Sequence, residues 1–259
     1  MKAICAAAVL VWAARGADPP PSADEAALLV RGAREVAMSY ARTLPDFECT
    51  QIVRREYRGP RIARRLLDVL TIRLTYHAQQ DHHELLLVDG HKTSATYDSL
   101  VGATGEGEFG ATLSSIFRPV GGAEFQWRSW TTHHGRPAAA FHYTMSRERG
   151  RYGMVFQSEQ TGMLTATVGF RGEVVIDRDT FGILRLTYEM TDVPDDFPIR
   201  ASSTRVEYGF EDIGGRRFLL PVRAETDMAT ATTATWNIAE FRGYRKFETE
   251  SKVSFGDEK

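Results

Sequence analysis

The segment Ile183-Leu184-Arg185-Leu186-Thr187-Tyr188-Glu189-Met190 decides the fold class of this 259-residue chain. Along its second half, apolar and polar side chains alternate without a fault. Successive side chains of a β-strand point to opposite faces of the sheet, so this period of two places one kind of side chain on each face. The segment therefore predicts a strand with one apolar face and one solvated face.

The same period recurs along most of the chain, from Phe47 to Phe247. In the clearest segments, apolar side chains occupy every second position. These residues are Leu66, Leu70, Ile72, Leu74, Tyr76, Val206, Tyr208, Phe210, Val222, Ala224 and Met228. Turn-forming residues separate the segments at Arg58–Pro60, Gln79–Asp81, His134–Pro137, Asp177–Gly182 and Gly214-Gly215. We therefore predict a mainly β fold of the α+β class, with a curved antiparallel sheet of about ten strands that forms an unclosed barrel.

Two segments depart from this period and predict helices. From Ala23 to Arg42 apolar residues recur every three or four positions, with Ser22 or Asp24 as the N-cap and Leu44-Pro45 as the end. Helical spacing also runs from Glu108 to Phe117, ahead of Arg118-Pro119. A sheet with one apolar face must cover that face, and these two helices are available to do so.

The N-terminus has the pattern of a cleaved secretory signal peptide. Lys2 is followed by an apolar stretch from Ile4 to Trp12 and by small residues at the proposed cleavage site, Ala14-Arg15-Gly16. We predict a signal peptide over residues 1–16, an extended proline-rich leader over 17–22, a single domain over 23–247 and a polar tail over 248–259. The mature protein is then expected to be periplasmic or secreted.

Composition excludes some classes of function. A formal net charge of −2 does not suit a general binder of nucleic acid, which carries a strong basic excess. Of the two cysteines, Cys5 lies in the signal peptide, so Cys49 has no internal disulfide partner and is expected to be buried. No second apolar run reaches the ~20 residues of a membrane span, so we expect no transmembrane segment in the mature chain.

No motif of a named enzyme class is present in the sequence. There is no Gly-x-Ser-x-Gly elbow, and the carboxylates of Asp192, Asp195 and Asp196 fall in a proline-bounded loop typical of solvated residues. We therefore assign no catalytic residue, and the protein is more easily explained as a non-enzyme.

Histidines are the candidate metal ligands. They stand at His77, His82, His83, His91, His133, His134 and His142. His82 with Glu84, or His77 across a hairpin from His83, would bring ligands together, but the spacing matches no closed zinc pattern. We assign no metal and no cofactor, and a metal-dependent enzyme using the histidine cluster remains an alternative.

The strongest charge feature is a group of six arginines around one turn. They are Arg54, Arg55, Arg58, Arg61, Arg64 and Arg65. Guanidinium groups bind carboxylates and phosphates, so this hairpin is a candidate docking site for an acidic envelope partner or lipid head groups. Alternatively, the charges protect an edge hairpin from aggregation.

The order of elements, with an N-terminal helix, a long run of antiparallel hairpins and a short inserted helix, resembles the periplasmic lipoprotein-carrier superfamily, the LolA/LolB-like half-barrel. Segments at Glu108–Gly110, Asp177–Gly182 and Val206–Gly209 through Leu219–Pro221 also resemble those of uncharacterised exported bacterial proteins of similar length. The superfamily resemblance implies a half-barrel over residues 23–247, whose helices cover a hydrophobic cavity for acyl chains. No lipobox cysteine is present.

The resemblance implies a lining for that cavity, with residues of the inserted helix as its lid. The expected residues are Leu70, Ile72, Leu74, Phe109, Leu113, Phe117, Leu184, Leu186, Tyr188, Val206, Tyr208, Phe210 and Trp236. We expect an exported non-enzymatic carrier or sensor for an apolar, lipid-like small molecule. The alternative function for the same fold is a periplasmic protein-interaction module whose core is filled by its own side chains.

Overall fold

The computed structural model describes residues 18–100, 108–120, 122–150, 152–158 and 162–247. The predicted signal peptide and polar tail therefore lie outside the described residues. Helix α1 (Ala23–Thr43) confirms the first predicted helix. The Ser22 hydroxyl caps it by accepting a hydrogen bond of 3.1 Å from the backbone N–H of Glu25. The helix ends at Leu44, whose extended backbone precedes Pro45.

The described part of the chain contains twelve strands in one antiparallel sheet. They are β1 (Phe47–Gly59), β2 (Ile62–His77), β3 (Gln80–Val88), β4 (His91–Lys92), β5 (Glu124–His133), β6 (Arg136–Met145), β7 (Tyr152–Ser158), β8 (Gly162–Asp177), β9 (Ile183–Thr191), β10 (Ile199–Ile213), β11 (Arg216–Thr230) and β12 (Ala234–Lys246). Their order is β4-β3-β2-β1-β12-β11-β10-β9-β8-β6-β5, with β7 paired to β8. The two edge strands, β4 and β5, do not pair with each other, which confirms the unclosed, mainly β fold.

The first and last strands meet in the middle of this sheet. Strand β1 pairs with β12 from Phe47 opposite Lys246 to Arg58 opposite Ala234. The remaining neighbours along the main path are consecutive strands, except for β6 and β8, which are separated in sequence by a short helix (Arg147–Gly150) and β7. Pairing of the chain ends therefore joins two runs of hairpins into one continuous sheet.

The helical segments other than α1 are short. Helix α2 (Ala111–Phe117) starts three residues later than predicted, because Gly110 before it has a φ of 123°, a conformation that glycine adopts readily. A 3-10 turn (Tyr97–Ser99) and helix α3 (Arg147–Gly150) complete the set. Among the described residues, no helix has both the length and the apolar character needed to cross a membrane.

Helices α1 and α2 pack on one face of the sheet and bury the main core there. Around Phe109, which precedes α2, the core is densely aromatic, with neighbouring ring centroids between 5.2 and 6.0 Å apart. The rings belong to Phe47, Tyr76, Phe109, Phe241 and Tyr244. Aromatic side chains of the protein therefore pack closely around Phe109.

The opposite face carries a second, smaller apolar cluster. It is formed by Ala138, Ala140, Val175 and Leu184. The register agrees with this placement: Ala140 pairs with Val175, and a shift in the β8–β9 pairing leaves Leu184 as the extra residue beside Val175. Both faces of the β6–β8–β9 region are thus partly buried, in contrast to the single dry face that alternation predicts.

Candidate functional site

An opening toward the apolar face lies between the C-terminal half of α1 and strands β9 to β11, and is called the cleft below. Its volume is about 210 Å³. The lining is formed by Val36, Tyr40, Thr43, Leu44, Leu113, Thr180, Gly182, Ile183, Tyr208, Phe210, Arg217, Phe218 and Leu219. An apolar cavity of ~150 Å³ is enough to admit benzene, so this cleft has room for a segment of an apolar ligand.

Two tyrosines that line the cleft have hydroxyls already engaged with backbone carbonyls. The Tyr40 hydroxyl donates to the carbonyl of Leu219 at 2.7 Å, and the Tyr208 hydroxyl donates to the carbonyl of Glu108 at 3.2 Å. Burial raises the pKa of both phenols well above the ordinary value, so both are neutral. Their rings meet edge to face, with centroids 6.2 Å apart. These two residues therefore offer the cleft aromatic surface without a free polar group.

The loop between β8 and β9 borders the cleft and is held by Asp177. One carboxylate oxygen accepts hydrogen bonds from the backbone N–H groups of Asp179 and Thr180, at 3.0 and 2.9 Å. The other accepts from the Arg136 guanidinium. Burial on its own would raise the pKa of Asp177, but these hydrogen bonds outweigh it and hold the pKa below the ordinary value. Asp177 thus stays ionised and fixes the loop that carries Thr180 and Gly182.

Arginines surround the aromatic rim of the cleft. The Arg217 guanidinium lies 5.1 Å from the ring centroid of Phe210, and that of Arg216 lies 5.4 Å from the centroid of Phe218. Both arginines are exposed, and no carboxylate of the described residues forms an ion pair with either. The mouth of an apolar cleft therefore carries positive charge that the protein itself leaves available.

The predicted cavity residues are divided among several places. Leu113, Tyr208 and Phe210 line the cleft. Buried positions within the main core are occupied by Leu70, Ile72, Leu74, Phe109, Phe117, Leu186 and Val206, with Tyr188 packed against them. Leu184 belongs to the cluster on the opposite face. Trp236 lies beneath the guanidinium of Arg64, 4.1 Å from its ring centroid.

Several cleft residues were not among those the sequence singled out for the cavity. The prediction gave the lid to the inserted helix, whereas α1 supplies Val36, Thr43 and Leu44. The available signal was the apolar stripe of α1, which continues to Tyr40 at the end of the helix. Ile183, Phe218 and Leu219 line the cleft because α1 lies over β9 to β11. No local pattern in the sequence shows that position of the helix.

A second opening of about 30 Å³ has a mixed lining and is about the size of one water molecule. It lies on the sheet near β1, β2, β11 and β12, and includes Leu70. Its polar residues include Gln51, Arg55, Glu108 and Asn237. It is too small for the apolar ligand that the sequence suggests.

The six arginines of the β1–β2 hairpin have different surroundings. Arg55 is buried and forms two hydrogen bonds to the Asp68 carboxylate, at 2.7 and 2.6 Å. Arg54 and Arg64 both pair with Glu56. The remaining three are exposed near the hairpin tip, together with three exposed apolar residues; these six are Arg58, Arg61, Arg65, Ile62, Leu66 and Leu67. The tip is therefore both basic and apolar.

His77 and His83 do not come together across the hairpin as considered from the sequence. His77 bonds to Asp46 at 2.9 Å, and His83 stacks on Tyr97 with ring centroids 4.7 Å apart. In the β2–β3 register His83 lies opposite Leu74, not opposite His77. The structure instead brings His133 and His134 together with Glu207.

Comparisons with known proteins find no matching family model and no matching curated protein. Similar solved structures include a LolA superfamily protein from Nitrosomonas europaea, with 9% identity, a TM-score of 0.30, and coverage of 86% of this chain and 96% of that chain. A domain assigned to outer membrane lipoprotein sorting from Vibrio parahaemolyticus shows 9% identity, a TM-score of 0.35, and coverage of 87% and 94%. A DUF1329 family protein from Desulfovibrio piger shows 10% identity, a TM-score of 0.33, and coverage of 88% and 95%.

One of these structures carries the name of the superfamily that the order of elements resembles. Scores and identities of this size carry no argument about a ligand. What the cleft binds has to be inferred from its own residues.

Proposed function

We propose that this protein is an exported, non-enzymatic carrier or sensor that binds an apolar ligand in the cleft beneath α1. The observation that carries the proposal is the volume of about 210 Å³ lined mainly by aliphatic and aromatic side chains. Clefts with such a lining and few polar groups are the usual form of a small-molecule site. Export is supported by the signal-peptide pattern of residues 1–16.

The charge at the mouth of the cleft indicates the chemical class of the ligand. An alkyl chain suits the apolar lining, and an anionic head group suits Arg216 and Arg217, which the protein leaves without an ion pair among its described residues. The proposed ligand is therefore an anionic amphiphile, such as a long-chain carboxylate.

Filling the cleft tests this proposal directly. Val36→Trp places a large ring in the cleft, whereas Leu28→Trp on the same helix adds the same ring at a position whose side chain is 50% exposed. Binding of dodecanoate is measured by isothermal titration calorimetry, with circular dichroism to check that both variants fold. We expect at least a tenfold loss of affinity in Val36→Trp and none in Leu28→Trp. Equal affinity of the two folded variants would refute the proposal.

A second candidate function is contact of the β1–β2 hairpin with an anionic membrane surface. The exposed Ile62, Leu66 and Leu67 lie beside exposed arginines at the tip, and this combination of apolar and cationic groups suits a charged lipid interface. A carrier or sensor of a lipid-like molecule would need such contact.

Charge reversal at the tip tests the membrane contact. Arg64 pairs with Glu56, so the triple change is made at Arg58, Arg61 and Arg65 to glutamate. Cosedimentation with vesicles containing phosphatidylglycerol should be lost in this variant. It should be retained in an equally charged control with glutamate at the exposed Arg31, Arg147 and Arg205. Equal cosedimentation of the two variants would exclude the hairpin as the contact.

A further inference from the structure

A histidine and carboxylate cluster lies on the face of the sheet opposite α1, apart from the cleft. His133 ends β5 and His134 follows it in the turn, whereas Glu207 lies in the middle of β10. One ligand atom from each of the three residues lies within 4.8 Å of the others. Three strands separate β5 from β10 in the sheet order, so the sheet curls toward this face to bring them together.

The contact between His133 and Glu207 is close but is not a hydrogen bond. The His133 Nε2 lies 3.1 Å from the Glu207 Oε2, and the His133 side chain is only 10% exposed. Within the described part of the chain, both atoms are buried without a hydrogen-bond partner. Buried polar atoms are normally satisfied, so this unpaired couple needs a physical explanation.

The surrounding charges leave Glu207 available. Arg185 donates to the Glu173 carboxylate at 2.7 Å, and Arg128 contacts the same carboxylate. Glu207 has His133 as its ion-pair contact within the described residues.

We propose that His133, His134 and Glu207 form a Zn²⁺ site. Two imidazole nitrogens and one carboxylate oxygen are a ligand set that zinc accepts, with a fourth position left for water. With zinc–ligand distances of about 2.0–2.1 Å, two ligand atoms of a tetrahedral site lie roughly 3.3 Å apart. The distance of 3.1 Å between His133 Nε2 and Glu207 Oε2 is close to this value. His134 is exposed in the turn, so its ring has room to complete the site.

The ion would tie the tip of the β5–β6 hairpin to a central strand of the sheet. Strand β5 is an edge strand, and Cys49 is a free cysteine, so no disulfide of the described residues performs this role. A metal that binds only the folded state stabilises it in proportion to the logarithm of its concentration. The proposed ion would therefore stabilise the folded state, at a place separate from the binding cleft.

The test uses the whole chain without its predicted signal peptide, stripped with EDTA and dialysed. Titration with ZnCl₂ should show one bound ion per chain, measured by calorimetry and by elemental analysis after gel filtration. Zinc at about 100 times its Kd should raise the Tm by roughly 5–10 °C. His134→Ala and Glu207→Gln should each weaken zinc binding by at least about tenfold. His91→Ala, at an exposed histidine of β4, should leave it unchanged.

His134→Ala keeps the proposal testable even if Glu207→Gln fails to fold, because His134 is exposed. Wild-type zinc affinity in His134→Ala, or the absence of a zinc-dependent change in Tm for the wild type, would overturn it. The proposal would also be overturned if His91→Ala lost zinc binding while His134→Ala and Glu207→Gln kept it.

Discussion

The ring of Phe181 lies directly against the backbone of Gly32 in α1, where a Cβ on Gly32 would be only 2.5 Å from the Cγ of that ring. A glycine within a helix costs about 1 kcal/mol relative to alanine. Here the missing side chain lets the helix approach the β8–β9 loop, which Asp177 fixes. This contact places α1 over β9 to β11 and so defines one wall of the cleft.

Gly32→Ala is expected to destabilise the protein although alanine favours helix. The added methyl group has to displace the Phe181 ring, and overpacking of this kind costs about 1–3 kcal/mol. We expect a net fall of the free energy of unfolding by about 1 kcal/mol in urea denaturation, after the gain in helix propensity. Met38→Ala at an exposed position of α1 should change it by less than about 0.5 kcal/mol. A stabilised Gly32→Ala variant would show that Phe181 does not position the helix.

Asp177→Asn should remove the charge that holds the β8–β9 loop. The hydrogen bonds from Arg136 and two backbone N–H groups favour the ionised carboxylate, so we expect a loss of about 2 kcal/mol in the free energy of unfolding at pH 7. Asp179→Asn, in the exposed part of the same loop, serves as the control.

The effect of Asp177→Asn should depend on pH in a defined direction. The folded-state pKa of Asp177 lies below its ordinary value of 3.8, so its contribution is complete above that value. It is lost as the pH falls through the lower pKa of the folded state. The difference between wild type and variant should therefore shrink below about pH 4, and a constant difference down to pH 2 would contradict this assignment.

Cys49 should be unreactive in the folded protein. Burial raises the pKa of its thiol to about 12 and outweighs the opposing effects of Tyr244 and Arg245. Protein lacking residues 1–16 should show no reaction with Ellman's reagent at pH 8 until guanidinium is added. Ser146→Cys, at an exposed position, gives the rate for an accessible thiol. Equal rates for the two thiols in the native protein would contradict the buried position.

Arg217→Glu should lower the affinity for an anionic amphiphile more than for a neutral one. An exposed charge pair contributes up to about 1 kcal/mol, so reversal should weaken dodecanoate binding roughly three- to tenfold and leave dodecanol binding nearly unchanged. Arg205→Glu, at an exposed position of β10 outside the cleft lining, provides the matched control. An equal effect on both ligands would assign Arg217 a role in packing only.

Local patterns predicted the elements of this fold well. The spacing from Ala26 to Tyr40 gave α1 almost to the residue, because an amphipathic stripe, the Ser22 cap and Pro45 all act locally. The alternation of apolar and polar residues predicted the strands because it, too, is a local pattern. The pairing of β1 with β12 joins residues nearly 200 positions apart, which no local signal specifies.

The site was harder to predict because it depends on how the elements pack. Leu184 shows the difficulty: a register shift between Val175 and Ile176 interrupts the β8–β9 pairing, and Leu184 then lies with Val175 on the face opposite the cleft. Strict alternation would have placed it beside Leu186. Likewise, Glu207 joins His133 only through the curl of the sheet across three strands.

The position of a bound ligand tests the central claim most directly. Methyl NMR of the protein titrated with dodecanoate compares Ile183 and Leu219, which line the cleft beneath α1, with Ile72 and Leu74 in the filled core. We predict chemical-shift changes at Ile183 and Leu219 that saturate with ligand, and none at Ile72 and Leu74. Changes confined to Ile72 and Leu74, or no change at any of the four methyl-bearing residues, would contradict the account.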